Sequence, residues 1–261
     1  MMRAFSTSAT GMAAQQKMVD MIANNLANIN TNGFKKSQLD FQDLLYIKMR
    51  EAGAETASGI ESPSGLEIGS GVRVSGSVKV FTAGEMQATG RPLDIAITGE
   101  GFLQVTMPDG TTMYTRDGSL QTNSDGQLVT STGYLIEPSI TIPNDATNVS
   151  IGKDGSVNIT SASGTQSVVG QIQLARFSNP PGLASAGDNL YAETEASGTP
   201  IAGIPGQNGI GTIQAGFLEK SNVEMVSELV NLITAQRAYE INSRAIRAGD
   251  DMLRTTNEIV R

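Results

Sequence analysis

Apolar residues near the N-terminus recur at intervals of three, four or seven. The positions in this pattern are Phe5, Met12, Val19, Ile22, Leu26 and Ile29. This spacing places side chains on one face of a helix and is typical of a coiled-coil seam. Asn32-Gly33 follows, and glycine accepts the left-handed conformation that ends many helices. The pattern therefore predicts an N-terminal helix that pairs with another helix and ends near Gly33.

The last forty residues carry a second pattern of the same kind. Its apolar seam consists of Met225, Leu229, Leu232, Tyr239, Ile246, Leu253 and Val260, with the polar residues Gln236, Ser243, Asp250 and Asn257 interleaved. A second apolar stripe beside the seam contains Ile241, Ala245, Ala248, Met252 and Ile259. Two stripes predict contacts with more than one neighbouring helix. Ser221-Asn222-Val223-Glu224 has the capping-box pattern, which predicts that this helix begins there.

The middle of the chain has a different composition. All nine prolines and 26 of the 29 glycines lie between residues 45 and 220, and both residue types interrupt helices. Asp-Gly pairs, which favour hairpin turns, recur among Thr, Tyr, Leu and Val. They occur at Asp109-Gly110, Asp117-Gly118, Asp125-Gly126 and Asp154-Gly155. The predicted class is α+β, with terminal helices that form a coiled-coil domain and an intervening, mainly antiparallel β domain.

These shifts in composition predict three parts. Residues 1–45 and 221–261 form the terminal helical domain, and residues 71–220 form the β domain. Residues 46–70 are rich in Gly, Ser, Ala and Glu and poor in large apolar residues. Such a composition is typical of a flexible linker.

Composition also limits the chemistry. The 261 residues include no Cys, His or Trp, which excludes thiol chemistry, imidazole catalysis and most metal sites. We therefore predict no catalytic, cofactor-binding or metal-binding residues, and no cofactor. Asp94 and Glu100 could in principle form the carboxyl pair of a glycosidase. Any chain with 26 acidic residues offers such a pair, so an enzyme is the weaker interpretation.

The net charge of −8 lies entirely between residues 45 and 220, because the two ends together are neutral. An acidic middle repels nucleic acids and anionic membranes, so neither is a predicted partner. No apolar stretch is long enough to span a membrane, and no membrane insertion is expected. The N-terminus lacks the apolar region of a secretory signal peptide, so we expect any export to proceed without a cleaved signal.

Asparagines cluster towards the end of the first predicted helix, at Asn24, Asn25, Asn28 and Asn30. Asparagine is a mediocre helix former. Two interpretations of these asparagines are open. The amides either lie on a solvated helix face or form hydrogen bonds between packed helices.

Seven motifs closely resemble those of the bacterial flagellar rod and hook family, and together they span nearly the whole chain. They are GMAAQQ at 11–16, IANNLANINTNGFK at 22–35, RPLDIAITGEGF at 91–102, YTRDG at 114–118, FSNPPGL at 177–183, GFLEKSNV at 216–223 and LITAQRAYEIN at 232–242. A small departure is Phe102-Leu103, where the family usually has two phenylalanines.

The resemblance implies a structural subunit of the distal part of the rod, which self-assembles into a rigid tube and transmits torque to the hook. The terminal helices would line the tube, the β domain would face outward, and residues 46–70 would link neighbouring copies. The implied partners are further copies of the chain, other rod proteins, the hook protein, the basal-body rings and the flagellar type III export apparatus. The implied location is the periplasmic rod of the basal body.

The seams and the resemblance together predict a set of assembly contacts. These residues are Met12, Val19, Ile22, Asn25, Leu26, Asn28, Ile29, Tyr46, Leu66, Met225, Leu229, Leu232, Ile233, Arg237, Tyr239, Ile246 and Leu253. The sequence allows two alternatives. One is a proximal rod or hook subunit of the same family, and the other, from a different class, is a secreted polysaccharide hydrolase.

Overall fold

The computed structural model describes residues 2–51, 53, 55–57, 60–61, 63–162 and 164–259. The chain divides into two compact units. The helical unit contains Met1–Leu26, Ser37–Val78 and Glu224–Arg261, and the β unit contains Ala27–Lys36 and Lys79–Val223. Val260, which the second pattern places in its seam, lies outside the described residues.

The first helix, α1, spans Met2–Ala27. It ends earlier than predicted, because residues 28–33 form turns in which the Thr31 N–H donates to the Asn28 carbonyl at 3.2 Å. The prediction that Ile29 continues the helical seam is therefore wrong, and Asn28 also lies beyond the helix. Asparagine side chains compete with helical hydrogen bonds, which explains why a run of them ends α1 before the glycine.

The second helix, α2, spans Met225–Ile259. At 35 residues it is about 50 Å long. The capping-box prediction is wrong, because the Ser221 hydroxyl accepts from the Val223 N–H at 3.3 Å and does not cap the helix. Glu224 stands before the first turn instead, where its carbonyl accepts from the Glu228 N–H and its carboxylate accepts from the Ser227 hydroxyl.

The strands of the helical unit form a small sheet and a hairpin. They are β1 (Ser37–Asp43), β2 (Ile47–Arg50), β3 (Glu55–Ala57), β4 (Ile60–Glu61), β5 (Leu66–Ile68) and β6 (Val72–Lys79). β1 pairs with β6, β2 with β5 and β3 with β4.

The described residues between 47 and 68 therefore form two pairs of antiparallel strands, and we call this segment the arm. Interpreting this segment as a flexible linker is wrong for its described residues. In the β2–β5 register Ile47 lies opposite Ile68 and Lys48 opposite Glu67. Apolar and opposite-charge pairs of this kind stabilise antiparallel strands, and overall composition does not reveal them.

The β unit contains sixteen strands among its described residues. They are β7 (Met86–Ala88), β8 (Ile95–Thr98), β9 (Phe102–Thr106), β10 (Thr112–Thr115), β11 (Gln121–Thr122), β12 (Leu128–Val129), β13 (Leu135–Glu137), β14 (Ala146–Ile151), β15 (Ser156–Ser161), β16 (Gln166–Gln171), β17 (Leu174–Arg176), β18 (Ala184–Gly187), β19 (Leu190–Ala192), β20 (Ile201–Gly203), β21 (Thr212–Ala215) and β22 (Phe217–Glu219). A 3₁₀ turn covers Pro180–Gly182.

The largest sheet has nine strands, with β9 at its centre. β9 pairs with β10 along one edge and with β17 and β13 along the other. β14, β15 and β16 form a separate three-stranded sheet, and β21–β8 and β22–β7 form two further pairs. Every pair with a described register is antiparallel, which confirms the predicted α+β class with a mainly antiparallel middle.

Three of the four Asp-Gly pairs lie in the turns of hairpins, between β9 and β10, β11 and β12, and β14 and β15. The fourth, Asp117-Gly118, does not, because β10 pairs with β9 and β19 instead of β11. The Asp117 carboxylate accepts from the Ser119 N–H, and the Gly118 carbonyl accepts from the Ile95 N–H at 3.0 Å. The hairpin prediction at this pair is therefore wrong.

The core of the β unit has two parts. Seventeen buried aliphatic side chains, such as Ile95, Leu103 and Leu174, form the larger part. An aromatic cluster that includes Phe102, Tyr114, Phe177 and Tyr191 forms the smaller part, in which the rings pack edge to face.

Candidate assembly surfaces

α1 and α2 pack against each other in opposite directions. A Cβ atom at Gly249 would lie 2.9 Å from the Phe5 ring, and one at Gly11 would lie 3.0 Å from the Asn242 amide. The start of α1 therefore faces the end of α2. Glycine is a poor helix former, and its place at these two positions follows from the close approach of the helices.

The side of α2 that faces α1 follows alternating steps of three and four. Leu232, Ile246 and Leu253 are half-buried, as predicted for seam positions, and Ala235 is buried. The interleaved positions are Ala235, Asn242 and Gly249, one residue before the predicted ones. The prediction that Gln236 and Asp250 hold interleaved positions of the seam is wrong, because both side chains are exposed. Small side chains hold these positions because the helices lie close together.

On α1, Ile22 is buried and Met12, Val19 and Leu26 are half-buried. Their spacing places them on the face that packs within the helical unit.

A large part of α2 remains uncovered in the single chain. Its exposed large apolar residues are Met225, Val226, Leu229, Val230, Ile233, Tyr239, Ile241 and Met252. Ile241, from the predicted second stripe, is 65% exposed, and Arg237 on the same helix is also exposed. Many exposed apolar residues on one helix are typical of a surface that binds another protein.

The arm and the residues before it form a second exposed apolar surface. It contains Leu45, Tyr46, Ile47, Met49, Leu66 and Ile68, and Leu45 alone is 90% exposed. The Tyr46 ring lies beside Gly69, and the Ser70 hydroxyl donates to the Leu45 carbonyl at 2.7 Å. The predicted contact residues Tyr46 and Leu66 are therefore available to another molecule.

Asn25 has a structural role that neither sequence interpretation predicts. Its side chain is only 1% exposed, its amide nitrogen donates to the Ser37 carbonyl at 2.9 Å, and its amide oxygen accepts from the Ser37 N–H at 3.0 Å. The amide thus joins α1 to the start of β1, so neither a solvated face nor a bond between helices describes it. Asn28 accepts from the Thr31 hydroxyl at 3.2 Å in the turn after α1.

Inside the β unit, one carboxylate holds two buried cations. The Lys35 ammonium contacts Glu219 Oε1 at 2.6 Å, and Arg116 Nε contacts Glu219 Oε2 at 3.0 Å. All three side chains are at most 4% exposed. Burial, and then the nearby charge of Arg116, lower the pKa of Lys35 from its ordinary value, while Glu219 opposes that shift. We call these three residues the ionic cluster.

Backbone groups complete the ionic cluster. Lys35 also donates to the Thr82 carbonyl at 2.7 Å, and Arg116 donates to the carbonyls of Ile97 and Gly99 at 3.2 and 2.9 Å. The Gly84 N–H donates to Glu219 Oε1 at 2.9 Å. A buried charge is tolerated when it is paired and hydrogen-bonded, and this network meets that condition.

Gly33 brings the segment after α1 to this cluster. Its N–H donates to the Glu219 carbonyl at 2.8 Å, and its φ angle is +68°. A Cβ atom there would lie 2.7 Å from the Arg116 backbone. The sequence pattern predicts that Gly33 ends the helix, whereas in the structure it allows two backbone segments to come close.

We expect Gly33→Ala to lower the free energy of unfolding by roughly 2–4 kcal/mol, because it adds a steric clash to an unfavourable φ. Urea unfolding measures the loss. Gly90→Ala is a matched control, because Gly90 has a φ of +70° and nothing within 4 Å of the added methyl group. Equal losses of unfolding free energy in the two variants would show that the close contact with the Arg116 backbone does not contribute to the effect.

The structure does not support Asp94 and Glu100 as the carboxyl pair of a polysaccharide hydrolase. The Asp94 side chain is completely buried, while Glu100 is 63% exposed and pairs with Arg176 at 2.7 Å. In a glycosidase one carboxyl group protonates the leaving oxygen and the other acts as nucleophile or base, so both must reach the sugar, and a buried Asp94 does not. Among the described residues no group of three or more acidic side chains could hold a metal ion. Of the described helices, none is long and apolar enough to cross a membrane.

Comparison with known proteins identifies the family. Residues 5–35 match a model described as flagella basal body rod protein, residues 96–159 one described as flagellar hook protein FlgE/F/G D1 domain, and residues 214–259 one described as flagellar basal body rod FlgEFG protein C-terminal. The flagellar basal-body rod protein FlgG of Borreliella burgdorferi is 45% identical over 264 residues, with 100% of both chains covered. The chain belongs to the flagellar basal-body rod protein family.

Two further rod proteins are similar in sequence to this chain over almost its whole length. FlgG of Caulobacter vibrioides is 46% identical over 99% of both chains, and FlgG of Buchnera aphidicola from Schizaphis graminum is 47% identical over 97% of both. The resemblance to the rod and hook family is thereby confirmed.

The ionic cluster joins the three matched segments of the rod family. Lys35 lies in the first segment, Arg116 in the second and Glu219 in the third. Each residue also lies in one of the motifs quoted above, although nothing in those motifs indicates that the three side chains meet.

Proposed function

We propose that this rod family member is a structural subunit of the distal rod of the flagellar basal body. Many copies assemble into a rigid tube that transmits torque to the hook. The observation that carries the proposal is the uncovered apolar surface of α2, in a chain about 45% identical over its full length to basal-body rod proteins. An apolar helix surface that one chain leaves exposed can be covered by further copies.

In the assembled tube, α1 and α2 of each copy line the interior and the β unit faces outward. Fifteen of the seventeen residues predicted as assembly contacts belong to this proposal, with Ile29 and Asn28 acting from the turn after α1. The prediction for Ile22 and Asn25 is wrong, because both are buried within the single chain and the Asn25 amide is bonded to Ser37. The further partners are other rod proteins, the hook protein and the surrounding rings. The chain has no enzymatic role in this proposal.

Delivery to the rod is also part of the proposal. The type III export apparatus carries the unfolded chain to its periplasmic site without a cleaved signal peptide. A chain without cysteine cannot form disulfides on the way, which suits a protein that passes through a narrow channel and folds afterwards.

A genetic experiment tests this function. In a flagellated bacterium that carries this chain, removing it should abolish hook assembly and swimming, and a plasmid copy should restore both. Hooks and swimming that persist without the chain would contradict the proposal.

The arm stiffens the rod by linking neighbouring copies. Its exposed apolar side chains, including Tyr46 and Leu66, support contacts across copies. A tube bends only if its copies slide past one another, and contacts that cross several copies resist such sliding.

We expect deletion of residues 52–62, which removes β3 and β4 and leaves β2 beside β5, to give curved or hook-like rods. Electron microscopy of isolated basal bodies measures the curvature. Replacing the same residues with a Gly-Ser segment of equal length separates the effect of length from that of sequence. Straight rods of normal length in the deletion strain would remove the mechanical role of the arm.

A further inference from the structure

The surface of the β unit contains a cavity of about 220 Å³ beside the ionic cluster. Its lining residues are Phe81, Ala83, Gly99, Glu100, Gly101, Phe102, Arg116, Arg176, Phe177 and Pro180. Small-molecule sites usually measure roughly 300–1,000 Å³. This cavity is smaller, and its size suits a single side chain inserted by another protein.

The charges around the cavity favour an anion. Arg116 lines it, and Arg116 and Lys35 share the one carboxylate of Glu219, so the ionic cluster carries an excess positive charge. Three phenylalanine rings form the apolar part of the wall, and aromatic ring edges are themselves slightly positive. A carboxylate on a short apolar stem fits both features.

The mouth of the cavity already holds such a group. Arg176 Nε contacts the Glu100 carboxylate at 2.7 Å, and the two side chains are 40% and 63% exposed. An exposed pair of this kind contributes little stability and is readily exchanged. The guanidinium of arginine binds carboxylates in a fixed, forked geometry, so Arg176 can accept an incoming carboxylate in place of Glu100.

We propose that this cavity binds an acidic side chain of a second copy of the chain, and that Glu100 occupies Arg176 until that copy arrives. The inference rests on the proposed assembly function. The whole net charge of −8 lies within residues 45–220, so packed copies bring acidic surfaces together. A cavity with an arginine at its base and another at its mouth offers one of those carboxylates a favourable site.

Butyrate and butyramide test the cavity, because they have the same shape and differ in charge. In NMR titrations of the full chain, butyrate should shift the backbone amides of Gly99 and Gly101, and butyramide should not. Arg176→Gln should weaken butyrate binding by at least about tenfold, as expected for the loss of a charge-assisted hydrogen bond. Glu100→Gln should strengthen it, because it removes the competing carboxylate. Equal shifts with both compounds would overturn the proposal.

Assembly tests the identity of the occupant. Arg176→Gln should raise the critical concentration for assembly about tenfold or more, while Glu100→Gln should leave it unchanged or lower it. Unchanged thermal unfolding of both variants shows that the fold is intact. The wild-type chain is measured in the same experiment and is expected to assemble. An unchanged critical concentration for Arg176→Gln would contradict the proposed contact between copies but not the proposed rod function.

Discussion

Replacing Glu219 with glutamine is expected to lower the free energy of unfolding by about 3–5 kcal/mol, because it leaves two buried cations without their shared carboxylate. Glutamine keeps the shape of the side chain but carries no charge. Lys35 and Arg116 would then repel each other across a neutral amide. The amide has a single oxygen, which can accept either from Lys35 and the Gly84 N–H or from Arg116. Its NH2 group then faces the remaining donor, and the charge of both ion pairs, at 2.6 Å and 3.0 Å, is lost.

Urea unfolding monitored by circular dichroism measures this effect. Glu100→Gln is the matched control, because it also breaks a Glu–Arg pair, at 2.7 Å, but in an exposed position. We expect that control to lose about 0–1 kcal/mol. Adding Lys35→Met to Glu219→Gln should recover part of the loss, since it removes one of the unpaired charges. Similar losses for the buried and the exposed variant would contradict the structural importance of the ionic cluster.

Ile233→Asp is expected to abolish assembly and leave the folded chain almost unchanged. Ile233 is 49% exposed on α2 in the single chain, so an aspartate there remains solvated and should change stability by no more than roughly 0.5 kcal/mol. Between packed copies the same carboxylate would be buried without a partner, at a cost of several kcal/mol. The effect of this substitution therefore appears in assembly and not in unfolding.

Sedimentation of the assembled protein across a concentration series measures the change. Asn231→Asp, which adds the same charge at an exposed polar position of α2, is the control and should assemble normally. Leu26→Asp should also block assembly, but Leu26 is half-buried within the helical unit, so its effect also includes a loss of stability. Rods formed by Ile233→Asp at the wild-type concentration would show that this surface of α2 is not an assembly contact.

The periodicity of apolar residues predicts both terminal helices, because it shows which face of each helix is apolar. The structure contains both helices. It does not determine their ends or exact facing residues. The first helix ends at Ala27 and not near Gly33, because asparagines favour turns over helical hydrogen bonds. The small residues at 235, 242 and 249 hold seam positions because α1 lies close, and an alanine, an asparagine and a glycine give no apolar signal.

The ionic cluster could not be predicted from local pattern. Lys35 and Glu219 are 184 residues apart, and Arg116 and Glu219 are 103 apart. Nothing in the spacing of charged residues shows which of them meet across such distances. The arm is a related case, because its stability comes from cross-strand pairs such as Ile47 with Ile68, while its composition resembles that of a linker.

We propose that the uncovered surface of α2 makes this chain a subunit of a tube. Electron microscopy of the purified chain, concentrated after circular dichroism has shown that the β unit is folded, tests it most directly. We expect filaments or short tubes with a central channel, which form above a critical concentration and are absent for Ile233→Asp. Dispersed single particles of the folded wild-type chain at the highest concentrations would contradict it.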